Sequence, residues 1–140
     1  MPDDLELAPG NYVLDTHAIF ALLQREVGYE IVASLVERAA DDVALSLSVI
    51  NFGEIAYITQ REQGKDRSTQ ILDDVRRLPI ALYECTEARV LASANIKAQY
   101  AVSYADAFAI ALAQELGATL VSGDPEMKSV EPLVTICCIR

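Results

Sequence analysis

Short apolar runs along this chain alternate with longer stretches in which apolar residues recur every three or four positions, the periods of buried strands and amphipathic helices. Asn11 to Leu14 reads as a short buried strand ending at Asp15. Thr16 to Arg25 has helical spacing through Ile19, Phe20, Leu22 and Leu23, and Ile31, Leu35 and Val36 begin a second helical stripe that ends before Asp41 and Asp42. Val43 to Leu47 is strand-like. Ser48 is a good N-cap for a helix running to about Gln63, with Gly64 as its stop. Arg67 to Leu78 is a further helix closed by Pro79, and Ile80 to Tyr83 is a strand. Glu87 to Ala101 is helical, with Val90, Leu91, Ala94 and Ala98 spaced for one face. Ser103 caps a helix to Leu116 that stops at Gly117, Ala118 to Ser122 is a strand, Pro125 to Ser129 a short helical turn, and Leu133 to Ile139 a last strand.

Strands that alternate with helices predict an α/β fold, a parallel sheet sandwiched by helices. There is no internal repeat, low-complexity tract or linker, and 140 residues suit one domain. We read residues 1–10 as an N-terminal extension and 11–140 as that domain. Composition changes this picture little. Hydrophobic residues at 52% exclude disorder, and no apolar run approaches the roughly 18 residues that span a bilayer. The first ten residues carry Asp3, Asp4 and Glu6 and no basic residue, which does not read as a secretory signal, so a cytoplasmic location is expected. Cys85, Cys137 and Cys138 lack metal-ligand spacing and read as reduced, buried thiols. The net charge of -10 argues against a protein that coats DNA or anionic membranes. It leaves room for a nuclease that meets phosphate through metal ions, and it favours a basic partner.

Most acids lie in polar stretches where solvated charge belongs, but four do not. Asp15 follows the first strand and Asp124 the strand at Thr119–Val121, just before Pro125; each is also placed to cap a helix. Glu54 lies between Ile50 and Ile58 at helical spacing, so it should point along an apolar face. Asp106 has Val102, Ala109 and Ile110 as helical neighbours, although Ser103-x-x-Asp106 also fits a capping box. Topology gathers them: residues after parallel strands, and the starts of helices antiparallel to those strands, share the carboxyl edge of the sheet, where open α/β sheets bind ligands. The path works if the helix from Glu87 crosses obliquely. Four carboxylates there repel, by roughly 4 kcal/mol for a pair about 4 Å apart at an effective dielectric near 20. A hard divalent cation with oxygen ligands, Mg²⁺ or Mn²⁺, would offset this and would supply hydrolytic chemistry for a phosphodiester.

With these residues in place the chain resembles the PIN-domain ribonucleases, and within them the VapC-like toxins of toxin–antitoxin pairs. Tyr12-Val13-Leu14-Asp15-Thr16-His17-Ala18, Asn51-Phe52-Gly53-Glu54-Ile55, Ser103 to Ala111 around Asp106, and Thr119 to Glu126 around Asp124 resemble the family's four acidic motifs, over residues 11 to about 138. The resemblance implies a three-layer α/β/α sandwich with a mostly parallel sheet of four to five short strands. It implies a Mg²⁺-dependent endoribonuclease, with Asp15 and Asp106 as principal ligands and Glu54 and Asp124 completing the site directly or through water. The hydroxyls of Thr16 and Ser122 would lie beside it. It also implies a homodimer, an RNA substrate and a small antitoxin protein that holds the chain inactive.

Other residues add less. His17, the sole histidine, reads mainly as helix surface. Arg25, Arg61, Lys65, Arg67 and Lys97 could line an RNA path but read individually as solvated helix faces. Ile19, Phe20, Leu23 and Tyr57 form an apolar surplus that suits a partner surface or, more simply, the core. A degenerate nuclease fold that only binds RNA or protein would have no use for all four acids. A receiver-like or phosphatase-like protein would use Asp15 alone, lacks the second aspartate two residues on, and leaves Glu54 without a role.

Overall fold

The computed structural model describes residues 7–140; Asp3, Asp4 and Glu6, and most of the expected extension, lie outside them. The order is β1 (Gly10–Leu14), α1 (Thr16–Leu23), α2 (Tyr29–Glu37), β2 (Val43–Ser48), α3 (Val49–Gln63), α4 (Lys65–Arg77), β3 (Ile80–Tyr83), α5 (Glu87–Gln99), α6 (Tyr104–Leu116), β4 (Thr119–Ser122), a 3₁₀ turn (Pro125–Val130) and β5 (Ile136–Cys138). The five strands pair in the order β3-β2-β1-β4-β5, all parallel. This is the α/β sandwich expected.

The cap residues end helices where anticipated: Ser48 Oγ accepts from Ile50 N, Ser103 Oγ from Asp106 N, and Gly117 closes α6 in the left-handed conformation. Alternation along β1 splits the core. Tyr12 and Leu14 pack with Leu45, Leu47, Ile55, Val32, Leu35, Ile71 and Val121 on one face, while Val13 packs with Leu120, Ile96 and α6 on the other. Helix α6 is buried without a break from Ala107 to Ala113, which explains why its sequence is apolar nearly all round. Burying one Leu or Ile side chain here contributes about 1.5–3 kcal/mol.

Four expectations are corrected. β1 starts at Gly10, inside the expected extension, and Leu7 also packs on the core while Arg38 holds its carbonyl. The face of α5 read as buried is largely exposed: Leu91 is 61% accessible, and the residues facing α6 are Ser93 and Ile96. Adjacent alanines carried too little apolar weight to mark a face. Cys85 and Cys138 are exposed and Cys137 half-buried, because β5 is a three-residue edge strand and not the longer buried run its composition suggested. Ile19 is core, with Phe20 and Leu23 packed against it, so of the apolar surplus only Tyr57 stands out, 48% exposed beneath the Arg61 guanidinium. Among the described residues no helix is long and apolar enough to cross a membrane.

Candidate active site at the carboxyl edge of the sheet

The chain leaves β1 toward β2 on one side and leaves β4 toward β5 on the other. Such a reversal opens a crevice at the carboxyl ends of the two central strands. Asp15 follows β1 and Asp124 follows β4, and Asp15 N donates to Val121 O at 3.2 Å. Asp15 caps α1: its Oδ1 accepts from Ala18 N at 2.8 Å. Asp124 Oδ1 accepts from Glu126 N at 2.9 Å, and Asp124 N donates to the buried Ser122 hydroxyl at 3.0 Å. Capping and site placement are therefore not rivals. The caps fix both carboxylates just past the ends of β1 and β4, where Asp106 feels the charge of each.

Asp15 is 1% exposed, and its Oδ2 has no hydrogen-bond partner. A buried carboxylate oxygen without a partner is expensive and calls for a cation. The nearest one within the chain is His17, whose Nδ1 stands 3.7 Å away, beyond hydrogen-bond range. The facing Asp15 carboxylate pushes the His17 imidazole above its ordinary value, burial opposes this, and the charges of Asp15, Asp124 and Asp106 add to the rise. His17 is thus both exposed and adjacent to the acids.

Asp106 is half-buried in the first turn of α6. Burial pushes its carboxyl upward, the Ser103 hydroxyl opposes this, and Asp15, Asp124 and Glu54 raise it further. One group therefore feels all three other acids. The fold brings together the four residues singled out in the sequence. Glu54 differs in detail from expectation. The fully buried stripe of α3 is Asn51, Ile55 and Thr59, and Glu54 is half-buried on its flank, held by the Thr16 hydroxyl at 2.5 Å.

The donor set suits a hard divalent cation: carboxylate oxygens, one of them buried and orphaned. The residues that could hold it are Asp15 and Asp106, with Glu54 and Asp124 beside them. Among the described residues, however, no three Asp, Glu, His or Cys side chains approach closely enough to form a closed metal cage.

Two residues near this edge had no reading of their own in the sequence. Asn51, fully buried, bonds to Thr16 and to the Ala105 carbonyl. Its place in a helical stripe with Ile55 and Thr59 was the available signal. Arg140 had none. It reaches the edge because Ile139 N donates to Ser122 O, which carries the chain along β4 until the Arg140 side chain packs over Gly123. His17, Gly123 and Arg140 line a hollow of about 170 Å³. A larger one, about 530 Å³, lies between α5 and α6 beside Arg89 and Glu115, with none of the four acids in its lining. Of the basic residues considered for an RNA path, Arg25 lies over Tyr29, Arg61 over Tyr57, and Arg67 bonds to Gln70. Lys97 is tied to the Val102 carbonyl, and Lys65 is exposed.

The family model of the PIN domain matches residues 12–132. The chain belongs to the PIN-domain family. No curated protein matches it. Its fold is similar to that of a VapBC2 complex from Rickettsia felis bound to a DNA fragment from its promoter, at TM-score 0.75 and 16% identity over 94% of this chain and 100% of the other. DNA-bound VapBC from Salmonella typhimurium is similar at TM-score 0.71 and 17% identity over 93% and 98%. Mycobacterium tuberculosis VapC20, described as a sarcin–ricin-loop-cleaving toxin, is similar at TM-score 0.69 and 14% identity over 85% and 94%. The five-stranded parallel sheet and its flanking helices are those of a PIN domain.

Proposed function

We propose that this PIN domain is a divalent-metal-dependent endoribonuclease of the toxin type, restrained by a small antitoxin protein and acting as a homodimer in the cytoplasm. The observation that carries the reading is Asp15: a buried carboxylate with one oxygen unpartnered, in the field of Asp106, at the crevice between β1 and β4. The toxin–antitoxin setting is supported by fold neighbours described as VapBC complexes, and the RNA substrate by one described as cleaving the sarcin–ricin loop.

Asp15 and Asp106 are the principal ligands in this reading, with Glu54 and Asp124 bound directly or through water and Thr16 and Ser122 holding them in place. A bound Mg²⁺ or Mn²⁺ would supply the positive charge that polarises a phosphodiester and acidifies water. The chain's own residues fix the acids. The α1 cap holds Asp15, the Ser122 hydroxyl and the Glu126 amide hold Asp124, and Thr16 holds one oxygen of Glu54. On a surface of net charge -10, Arg140 is the cation placed against this loop and serves as a contact for the RNA backbone.

The test is cleavage of single-stranded and structured RNA by the purified chain with Mg²⁺ and with chelator, alongside Asp15→Asn and Asp106→Asn. Metal-dependent cutting that both substitutions abolish is expected. Cutting that survives chelation and both changes would sink the reading. The open arrangement of the acids favours one rival, a PIN fold that binds RNA or protein without catalysis. That rival becomes the better account if millimolar Mn²⁺ gives no calorimetric signal.

A further inference from the structure

Asn51 carries a side chain that the acidic pattern leaves unexplained. It sits in the first turn of α3, is 0% exposed, and its Oδ1 has no partner. A leucine there would bury without penalty, whereas an unpartnered buried acceptor opposes folding. What the amide does is visible at its nitrogen. Nδ2 donates to the Ala105 carbonyl of α6 at 3.3 Å and to the Thr16 hydroxyl of α1 at 3.4 Å. The first bond settles which end of the amide is the nitrogen, since a carbonyl takes a hydrogen bond only from a donor. Thr16 then accepts from Asn51 and has one proton to give. Its possible acceptors are the Asn51 main-chain carbonyl at 3.5 Å and Glu54 Oε1 at 2.5 Å, and the nearer, charged oxygen takes it. The result is a directed chain from the Asn51 amide through the Thr16 hydroxyl to the Glu54 carboxylate. It joins α1, α3 and α6, which start with or carry Asp15, Glu54 and Asp106.

We propose that Asn51 is a positioning residue for the carboxylate centre. It sets the Thr16 rotamer, aims Glu54 through it, and pins the first turn of α6, and with it Asp106, to the same point. Its consequence for metal affinity rests on the reading under Proposed function. The hydrogen-bonded chain itself does not.

The test titrates Mn²⁺ alone, by calorimetry, into the full chain as wild type, Asn51→Leu, Thr16→Val and the double variant. Leucine keeps the branched shape and the heavy-atom count and removes the donors. Groups that orient metal ligands typically change affinity by about tenfold or more when removed. Asn51→Leu is expected to bind Mn²⁺ about tenfold more weakly while melting within a few degrees of wild type. The double variant should be no weaker than the weaker single one, since both break one chain. In the metal-free protein, three-bond couplings to the Thr16 methyl should report a single rotamer in wild type and an averaged one in Asn51→Leu. Unchanged Mn²⁺ affinity in a folded Asn51→Leu overturns the proposal. A wild type that takes no Mn²⁺ defeats the metal reading instead, and the couplings then decide alone: an averaged rotamer supports the positioning chain, an unaltered one overturns it. If Asn51→Leu does not fold, Thr16→Val carries the test, and wild-type Mn²⁺ affinity there overturns the proposal.

Discussion

Asp15→Asn should stabilise the metal-free protein while abolishing its response to metal. Asparagine has the same shape and is as good an N-cap, so the bond from Ala18 N survives. What disappears is a buried charge whose Oδ2 is unpartnered. An effective desolvation penalty of several kcal/mol attaches to such an ion. Against this, the new amide NH₂ takes the orphan's place and costs about 1–3 kcal/mol if it finds no acceptor. The net is a gain of about 1–3 kcal/mol in chelator, a rise in melting temperature of roughly 3–10 °C for a chain of this size. Wild type should gain about 2.7 kcal/mol at Mn²⁺ a hundredfold above its dissociation constant, and the variant almost nothing. Thermal and urea unfolding with chelator and with Mn²⁺ measure all four states. A variant less stable than wild type in chelator would refute the reasoning, because it would mean that the protein itself satisfies the Asp15 charge.

Gly28→Ala should cost about 2–4 kcal/mol in urea unfolding, from left-handed strain plus overpacking; Gly28 has φ +96°, and an added Cβ would lie 2.7 Å from Ile139. A loss below about 1 kcal/mol would mean that Ile139 and β5 yield freely. Arg38 holds the Asp42 carboxyl below its usual range, and Arg89 does the same for Glu115. Depressed folded values mean that each pair's stabilisation is present above the ordinary carboxylate range and is lost as pH falls through the lowered values. Asp42→Asn with Glu115→Gln should therefore flatten the acid limb of urea stability below about pH 4, and an unchanged limb would remove both pairs from the account. Arg140→Ala, measured on the Asp106→Asn background, should weaken binding of single-stranded RNA and reduce the salt slope by about 0.7. An unaltered slope would remove Arg140 as a phosphate contact.

The alternation of apolar runs and helical stripes, with caps at Ser48 and Ser103 and stops at Gly64 and Gly117, was enough for the element order and the parallel sheet. These are local signals, carried by residues a few positions apart. The four acids were legible for the same reason, since each stands at the end of a strand or in the first turns of a helix. Faces were less legible. On α5 small residues blur the stripe, and on α3 the buried line runs through Asn51, Ile55 and Thr59, one helical position away from where isoleucine spacing put it. Partners distant in the chain were not legible at all. That Arg140 lies against Gly123 depends on the register of β5 on β4, and that Asn51 reaches Ala105 depends on how α6 crosses α3. The amino-acid pattern thus determined which residues could carry chemistry and on which elements they sit. Only the tertiary structure decided that Asp15 keeps an unpartnered oxygen, because burial and partnership belong to the packed chain and to no single segment of it.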